Sequence, residues 1–220
     1  MSRHVPVSDG LPRLALALSL GAAGVPNLSA QPAEPPARPS VAAGLASGPI
    51  RIDGSLDEPA WGTAGVVALT EQSPHPGEAT PFGTEVRILA DGENLYFGLL
   101  CTDPSPDRIS IHTLQRDGEM AGEDTVTIVL DTFSDRRTGY FFQVNSAGAR
   151  TDGLIAGPEE QSRDWDGIWD AATHRTPAGW SAEIQIPAST LRFLGGADSW
   201  GLNVVRSVPR DLLFLRWTGI

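Results

Sequence analysis

The stretch Thr84–Thr102, TEVRILADGENLYFGLLCT, decides the fold class of this 220-residue chain. On both sides of the segment DGEN at 91–94, apolar residues recur at every second position: Val86, Ile88 and Ala90 before it, and Leu95, Phe97, Leu99 and Cys101 after it. A period of two places successive side chains on opposite faces of a β-strand. Asp, Gly and Asn favour turns. The stretch therefore predicts two strands joined by a turn, each with one buried face.

The same alternation returns along the rest of the chain. It is found at Val126, Ile128 and Leu130, at Tyr140, Phe142 and Val144, at Trp180, Ala182, Ile184 and Ile186, and at Leu202 and Val204. Turn-forming residues separate these segments, and helical periodicity is limited to short pieces near 57–61 and 187–191. Short strands at this spacing predict an all-β protein, an antiparallel, jelly-roll-like β-sandwich with one or two short helices.

The first 48 residues differ from the rest in composition. Arg3, His4 and Arg13 precede and flank an apolar run at 14–25, and small residues follow at 29–30. This order predicts a secretory signal peptide over 1–30. Residues 31–48, rich in Pro, Ala and Gly, are interpreted as a linker. We expect one domain over 49–220, exported to the periplasm, the outer membrane or the extracellular space, and belonging to a longer protein.

Composition excludes several classes of function. The chain has 27 acidic and 16 basic residues, a formal net charge of −11, and every basic residue apart from His is Arg. A nucleic-acid-binding protein needs a basic surface to neutralise phosphates, so this balance argues against one. Cys101 is the one cysteine of the sequence, which excludes an intramolecular disulfide and a Cys-rich zinc site.

A loop rich in Trp and Asp is the first candidate site. Its sequence, RDWDGIWD at 163–170, places Trp165 between two carboxylates. An exposed indole beside hydrogen-bonding carboxylates suits a sugar ring, which offers an apolar face and polar hydroxyls. We therefore expect Trp165, Asp166 and Trp169 to contact a ligand. In the alternative, Trp165 caps the edge of the sandwich.

Acidic loop residues are the second candidate. Asp124, Asp131 and Asp164 are candidate ligands for a structural Ca²⁺ ion, a hard cation that prefers oxygen ligands. No calcium-loop motif accompanies them, so solvated loop charges are the alternative. The same carboxylates, with Asp166, would form a glycosidase pair only if two of them lined one cleft. Among the loop arginines, Arg116 has the planar fork that suits contacts to vicinal hydroxyls.

The segment IRIDGSLDEPAW at 50–61 resembles the I-x-I-D-G-x-x-D-E-x-x-W start of family 9 carbohydrate-binding modules. The resemblance continues in family order to about Trp217, through the segments at 84–87, 91–97, 101–104, 123–131, 179–184, 186–193 and 200–203. It implies a calcium-bearing β-sandwich that binds sugars in a slot between two Trp rings. Trp165 and Trp217 would supply the rings, and Arg116 stands where family members place a sugar-binding Arg.

The resemblance is nearest to a branch in which the module lies at the N-terminus of bacterial secreted proteins, ahead of a region like an outer-membrane β-barrel. It implies a non-catalytic carbohydrate-binding domain that assists glycan catabolism and is associated with hydrolysis of O-glycosyl compounds, with a barrel or a catalytic domain attached. The alternative is a structural or interaction domain of an outer-membrane protein that does not bind sugar.

Overall fold

The computed structural model describes residues 38–157 and 160–218. The predicted signal peptide and the first part of the predicted linker lie outside the described residues. Thirteen strands form two sheets among the described residues, joined by loops and four short 3₁₀ helices. No helix in these ranges is long and apolar enough to cross a membrane.

The first sheet contains six strands. Their bounds are β1 Gly44–Leu45, β2 Gly65–Ala68, β4 Thr84–Ala90, β5 Asn94–Thr102, β10 Asp170–Thr176 and β11 Gly179–Pro187. The order is β1-β4-β5-β11-β10, and β2 also pairs with β4. Every pair is antiparallel except β1 with β4. Because β1 lies within the segment interpreted as a linker, strand pairing begins before residue 49.

The second sheet contains seven strands. Their bounds are β3 Thr70–Ser73, β6 Thr125–Asp131, β7 Gly139–Asn145, β8 Arg150–Gly157, β9 Glu160–Ser162, β12 Gly201–Val208 and β13 Leu213–Arg216. The order is β3-β13-β12-β6-β7-β8-β9, and every pair is antiparallel. The central strands β6, β7 and β12 are paired with a neighbour on each side, and they form the part of the sheet that carries the candidate sites.

The predicted antiparallel β-sandwich is confirmed. The stretch that decided the fold class forms β4 and β5, with Ile88 opposite Phe97. The two predicted helices are single 3₁₀ turns, at Pro59–Thr63 and Ala188–Thr190. Each is preceded by a residue in extended conformation and ends at another extended residue, which limits the helix to one turn.

The main core lies between the two sheets. It is formed by the inward-facing members of the alternating segments, among them Val86, Phe97, Leu99, Ile128, Phe142, Ile184, Val204 and Leu215, all of which are buried. Burial of apolar surface stabilises the fold by about 25 cal/mol for each Å², and it is the main force that holds the two sheets together. Both candidate sites described below are built on the second sheet.

A second apolar cluster covers the outer face of the first sheet. Residues 50–61, here called the cover segment, place Trp61 against Leu89 and Tyr96. Gly98 lies beneath them, and a Cβ at this position would come within 3.0 Å of the Trp61 ring. The motif that carries the family resemblance therefore has a structural role: it closes one face of the sandwich.

Glu183 fastens the cover segment to the sheet. Its carboxylate accepts hydrogen bonds from the backbone N–H groups of Asp53 and Gly54, at 3.0 and 2.9 Å, and from Trp61 Nε1 at 3.0 Å. Burial raises the pKa of Glu183 to about 6, against the opposing effect of these donors. The carboxylate therefore has N–H partners but no cation among them.

Candidate functional site

Three of the five predicted ligand-binding residues, Arg116, Asp166 and Trp169, come together around a carboxylate that was not a candidate from the sequence, Asp152 on β8. Arg116 Nη2 and Trp169 Nε1 both donate to Asp152 Oδ1 at 2.8 Å. The backbone N–H of Gly167 donates to Asp152 Oδ2 at 2.6 Å. The side chain of Asp152 is 1% exposed. We call Arg116, Asp152, Asp166, Gly167 and Trp169 the Asp152 cluster.

The charges of the Asp152 cluster are paired with one another, although Arg116 Nε is buried without a hydrogen bond, 3.4 Å from Asp117 Oδ2. Arg116 Nη2 also donates to the carbonyl oxygen of Gly167 at 3.0 Å and pairs with the exposed carboxylate of Asp166. A buried charge is tolerated when it is paired and hydrogen-bonded. The cluster therefore meets the requirements of a structural tie between the 163–170 loop and β8.

The two indoles of the loop pack onto the core. Trp169 is 4% exposed and meets Phe142 edge-on, with ring centroids 5.2 Å apart. Trp165 is half-buried, 4.9 Å from Tyr140 and 6.0 Å from Phe142. The expectation that Trp169 offers its face to a ligand is corrected, because burial leaves no face for a sugar ring. Trp165 packs at the edge of the core, as in the alternative interpretation in which it caps the edge of the sandwich.

Trp217 lies in another part of the second sheet. It follows β13, packs against the main core, and its backbone N–H donates to the Val204 carbonyl at 3.0 Å. Trp217 follows β13 and Trp165 packs on residues of β7, and these two strands are three positions apart, or about 14 Å. Two rings stacked on one sugar ring would be about 7–8 Å apart. The geometry does not favour a slot between these two indoles, and ligand binding by them stays a prediction.

Asp124, the first predicted metal ligand, is part of a buried ion pair. Arg206 Nε and Nη2 donate to its two oxygens at 2.9 and 2.8 Å, and Trp180 Nε1 donates at 3.1 Å. Arg206 also donates to the Thr102 carbonyl at 3.0 Å, so it links the second sheet to the first. Because both carboxylate oxygens have charged or N–H partners, Asp124 belongs to the scaffold of the sandwich.

The three predicted calcium ligands do not share a site. Asp124 and Asp131 flank opposite ends of β6, about 20 Å apart. Asp131 accepts backbone N–H bonds from the turn that follows it, and Asp164 is exposed in the 163–170 loop. Among the described residues, no three His, Cys, Asp or Glu side chains are placed to hold a metal ion. Calcium binding elsewhere stays a prediction. Asp124 and Asp131 are therefore too far apart to form the carboxylate pair of a glycosidase, which is about 5–10 Å apart.

A groove on the outer face of the second sheet is a further candidate site. Its volume is about 200 Å³. It is lined by Glu119, Met120, Ala121, Gly122, Glu123, Thr125, Gln143, Arg163, Ser207 and Pro209. We call this feature the outer-face groove. The sequence analysis proposed none of its residues as ligands.

Strand register builds the floor of the outer-face groove. Thr125 is opposite Ser207 on β12, and Thr127 is opposite Gln143 on β7. Gln143 Nε2 donates to Thr127 Oγ1 at 3.1 Å. The floor therefore presents hydroxyl and amide groups from three adjacent strands, and these groups both donate and accept hydrogen bonds.

The walls of the groove come from two loops. The loop 119–123 is anchored by Glu123, 1% exposed, whose carboxylate accepts from the His112 N–H at 2.9 Å and from Asn145 Nδ2 at 2.5 Å. On the other side, Arg163 Nη1 lies 3.9 Å from Glu119 Oε2. Both of these rim residues are exposed, so the groove opens to solvent between them.

Comparison with known proteins bears on the fold. No protein-family model matches the chain, and no curated protein matches it. Among solved structures, a Bacteroides uniformis protein is 16% identical over 71% of this chain and 78% of its own, with a TM-score of 0.56.

Two further similar structures are of a family 9 carbohydrate-binding module from Caldicellulosiruptor kristjanssonii. The one in complex with cellotriose is 16% identical, covers 77% of this chain and 80% of its own, and has a TM-score of 0.54. The one in complex with glucose is 18% identical, covers 77% and 82%, and has the same TM-score. The chain has the fold of these modules. The family 9 resemblance seen in the sequence thus agrees with the three-dimensional fold.

The family 9-like fold also explains why the outer-face groove escaped the sequence analysis. Thr125, Gln143 and Ser207 are outward-facing strand positions, which read as ordinary surface residues in an alternating pattern. Their proximity depends on the pairing of β12 with the hairpin formed by β6 and β7, and β12 is far from that hairpin in the chain. The one signal that could have found them is the absence of a charge at all three outward positions.

Proposed function

We propose that this chain is a non-catalytic carbohydrate-binding domain whose binding surface is the outer-face groove. The observation that carries the proposal is the floor of the groove, where Thr125, Gln143 and Ser207 present neutral hydrogen-bonding groups in a concavity of about 200 Å³. A concavity of this volume has room for several water molecules, which sugar hydroxyls would replace. Solved modules with the same fold bind cellotriose and glucose.

The groove suits a sugar better than the Asp152 cluster does. Both oxygens of Asp152, the Nη2 of Arg116 and the Nε1 of Trp169 are engaged with one another or with Gly167, so a ligand would have to break protein hydrogen bonds to use these groups. A sugar hydroxyl that enters the groove replaces water on neutral side chains, an exchange of small cost. Phe214, opposite Ser207 on β13 and half-buried, offers an aromatic ring beside the groove.

Calorimetric titration tests the proposal. The neutral panel consists of glucose, cellotriose and xylotriose, titrated into wild type, Gln143→Ala and the matched control Asp166→Ala. We expect at least one member to bind wild type, and Gln143→Ala to weaken it about tenfold through lost hydrogen bonds. Asp166→Ala, in the exposed part of the Asp152 cluster, should change affinity less than twofold.

Two results would contradict the proposal. If no member of the panel binds, the alternative is favoured, a structural or interaction domain of an outer-membrane protein that does not bind sugar. If Asp166→Ala removes binding and Gln143→Ala does not, the site lies in the 163–170 loop, as the sequence analysis first proposed.

We further propose that the domain serves glycan catabolism in an exported parent protein that hydrolyses O-glycosyl compounds, with Ca²⁺ as a structural ion. The predicted signal peptide and the family 9 resemblance support this role. Thermal unfolding tests the ion: an ion that binds only the folded state raises the melting temperature with its concentration. Identical melting with Ca²⁺ and with EDTA would remove calcium from the proposal.

A further inference from the structure

Arg216 is an unusual cation on the same outer face as the groove. On β13 it is opposite Val205 of β12, and Phe214 is opposite Ser207, which lines the groove. Arg216 is therefore one strand away from the groove floor and displaced by two residues along it. Neighbouring strands are about 4.8 Å apart, so the guanidinium is within reach of a ligand that extends beyond Ser207.

The environment of Arg216 leaves its charge without a counter-ion. Its guanidinium carbon lies 5.3 Å from the centroid of the Phe214 ring, and its Nε is buried and has no hydrogen-bond partner. Its cross-strand neighbours are Val205 and Thr70, neither of which carries a charge. No carboxylate of the described residues forms an ion pair with it. A guanidinium that has no carboxylate partner within the described residues can accept one from a ligand through its terminal nitrogens.

Other arginines of the fold show the difference. Arg206 and Arg210 are also at least partly buried, and each pairs with a carboxylate, at 2.8 and 2.5 Å respectively. Arg216, on β13 and partly buried, has an aromatic ring beside it in place of a carboxylate. A guanidinium held over a ring keeps its edge available for a planar anion.

We propose that the outer-face groove and Arg216 together bind an acidic oligosaccharide, with a uronate carboxylate on Arg216 and the neighbouring sugar residue in the groove. This inference rests on the proposed function and names its ligand class. Gln143 and Arg216 are on strands three positions apart, about 14 Å, which fits a short oligosaccharide better than a single ring. The Arg fork matches a carboxylate in a bidentate, charge-assisted contact.

Matched ligand pairs test the inference. Trigalacturonate is compared with its methyl ester, and xylotriose bearing one glucuronate with plain xylotriose, by calorimetry on wild type, Arg216→Gln and Arg216→Lys. The control is Arg192→Gln, which removes the same charge from an exposed loop. We expect wild type to prefer the acidic member of at least one pair by tenfold or more. Arg216→Gln should bring that ratio close to one while changing affinity for the neutral member less than twofold.

The variants separate ligand contact from structural support. Arg216→Lys should keep part of the preference, because it keeps the charge and loses the planar fork, and Arg192→Gln should keep all of it. Equal binding of both members by wild type overturns the inference but leaves the proposed function standing, provided that the neutral members bind through Gln143. Equal weakening of both members by Arg216→Gln also overturns it. If no sugar of any kind binds, the proposed function fails together with the inference.

Discussion

The Asp152 cluster and the outer-face groove lie on opposite faces of the second sheet, and they use polar residues in opposite ways. In the cluster, Asp152 is 1% exposed and its two oxygens receive three donors from the protein itself. In the groove, hydroxyl and amide groups of Thr125, Gln143 and Ser207 line an open concavity. A segment rich in charged residues and Trp is therefore as typical of a structural scaffold as of a binding site.

Physical chemistry explains the contrast. A buried carboxylate is tolerated when a cation and N–H groups of the protein surround it, so its partners come from the fold itself. Neutral hydroxyls on the outer face cost little when they face water, and they can exchange that water for ligand hydroxyls. We therefore expect the cluster to govern stability and the groove to govern binding.

The largest expected effect comes from Asp152→Ala. The substitution leaves the guanidinium of Arg116 and the indole N–H of Trp169 without their buried acceptor. We expect the free energy of unfolding to fall by about 3–5 kcal/mol, the cost of breaking a buried pair from one side. Urea unfolding followed by fluorescence measures it, with Asp166→Ala as control at less than about 1 kcal/mol. A loss for Asp152→Ala no greater than for the control would deny the cluster its structural role.

Gly167→Ala tests the packing of the same loop. A Cβ at Gly167 would lie 2.6 Å from Cη2 and 2.9 Å from Cζ3 of Trp165, whose ring is held against Tyr140. We expect a loss of about 1–3 kcal/mol in the free energy of unfolding, because overpacking displaces the ring. Gly195→Ala is the matched control, since a Cβ there meets nothing within 4 Å. If both substitutions lower the free energy of unfolding by the same small amount, the Trp165 ring is free to move and remains a candidate ligand contact.

Glu183 sharpens the contrast, because it is a buried carboxylate with N–H partners and no cation. Burial raises its pKa to about 6, above the usual 4.5, so folding favours its protonated form. This stabilisation is fully present below about pH 4.5 and is lost as the pH rises through about 6. The free energy of unfolding of wild type, relative to Glu183→Gln, should therefore rise by about 1–2 kcal/mol from pH 7 to pH 4.5.

Urea unfolding at a series of pH values measures this difference, with Glu78→Gln, an exposed carboxylate, as the control. The difference in the free energy of unfolding between wild type and this control should not change with pH. A difference for Glu183→Gln that is flat, or that falls on acidification, would mean that the N–H donors outweigh burial and lower the pKa of Glu183.

The smallest expected effect on stability is that of Gln143→Ala in the groove. The side chain makes one good hydrogen bond, to Thr127, and is half-buried. We expect the free energy of unfolding to change by about 1 kcal/mol or less, while binding of the neutral panel weakens. Thermal melting and titration on the same sample check both parts. A large loss of stability would show that the groove floor is scaffold, as the Asp152 cluster is.

Local alternation was sufficient to predict the sandwich, and its failures have physical causes. Strands such as β4 and β11 have one strongly apolar face, and the structure contains them close to the predicted bounds. β8 was missed because its inward position 152 is a carboxylate, which breaks the apolar period. The edge strands β1, β3 and β9 are two to four residues long and carry too little pattern.

The candidate site was predicted in part. Of the predicted ligand-binding residues, Arg116 pairs with Asp166, and Trp169 shares the acceptor Asp152 with Arg116. The groove depends on register between β7, β6 and β12, a long-range property that local sequence does not contain. Arg216 was likewise invisible, because its lack of a carboxylate partner is a property of its cross-strand neighbours.

Amide chemical-shift mapping tests the central claim most directly. The ¹⁵N-labelled chain is titrated with whichever member of the neutral panel binds most tightly, and shifts are followed at every assigned amide. The account predicts that the largest changes fall on residues 119–125, Gln143 and Ser207, with the 163–170 loop affected only near Arg163. The account would be contradicted if the largest chemical-shift changes fell on Trp165, Asp166 and Gly167 while the amides of the groove floor did not shift.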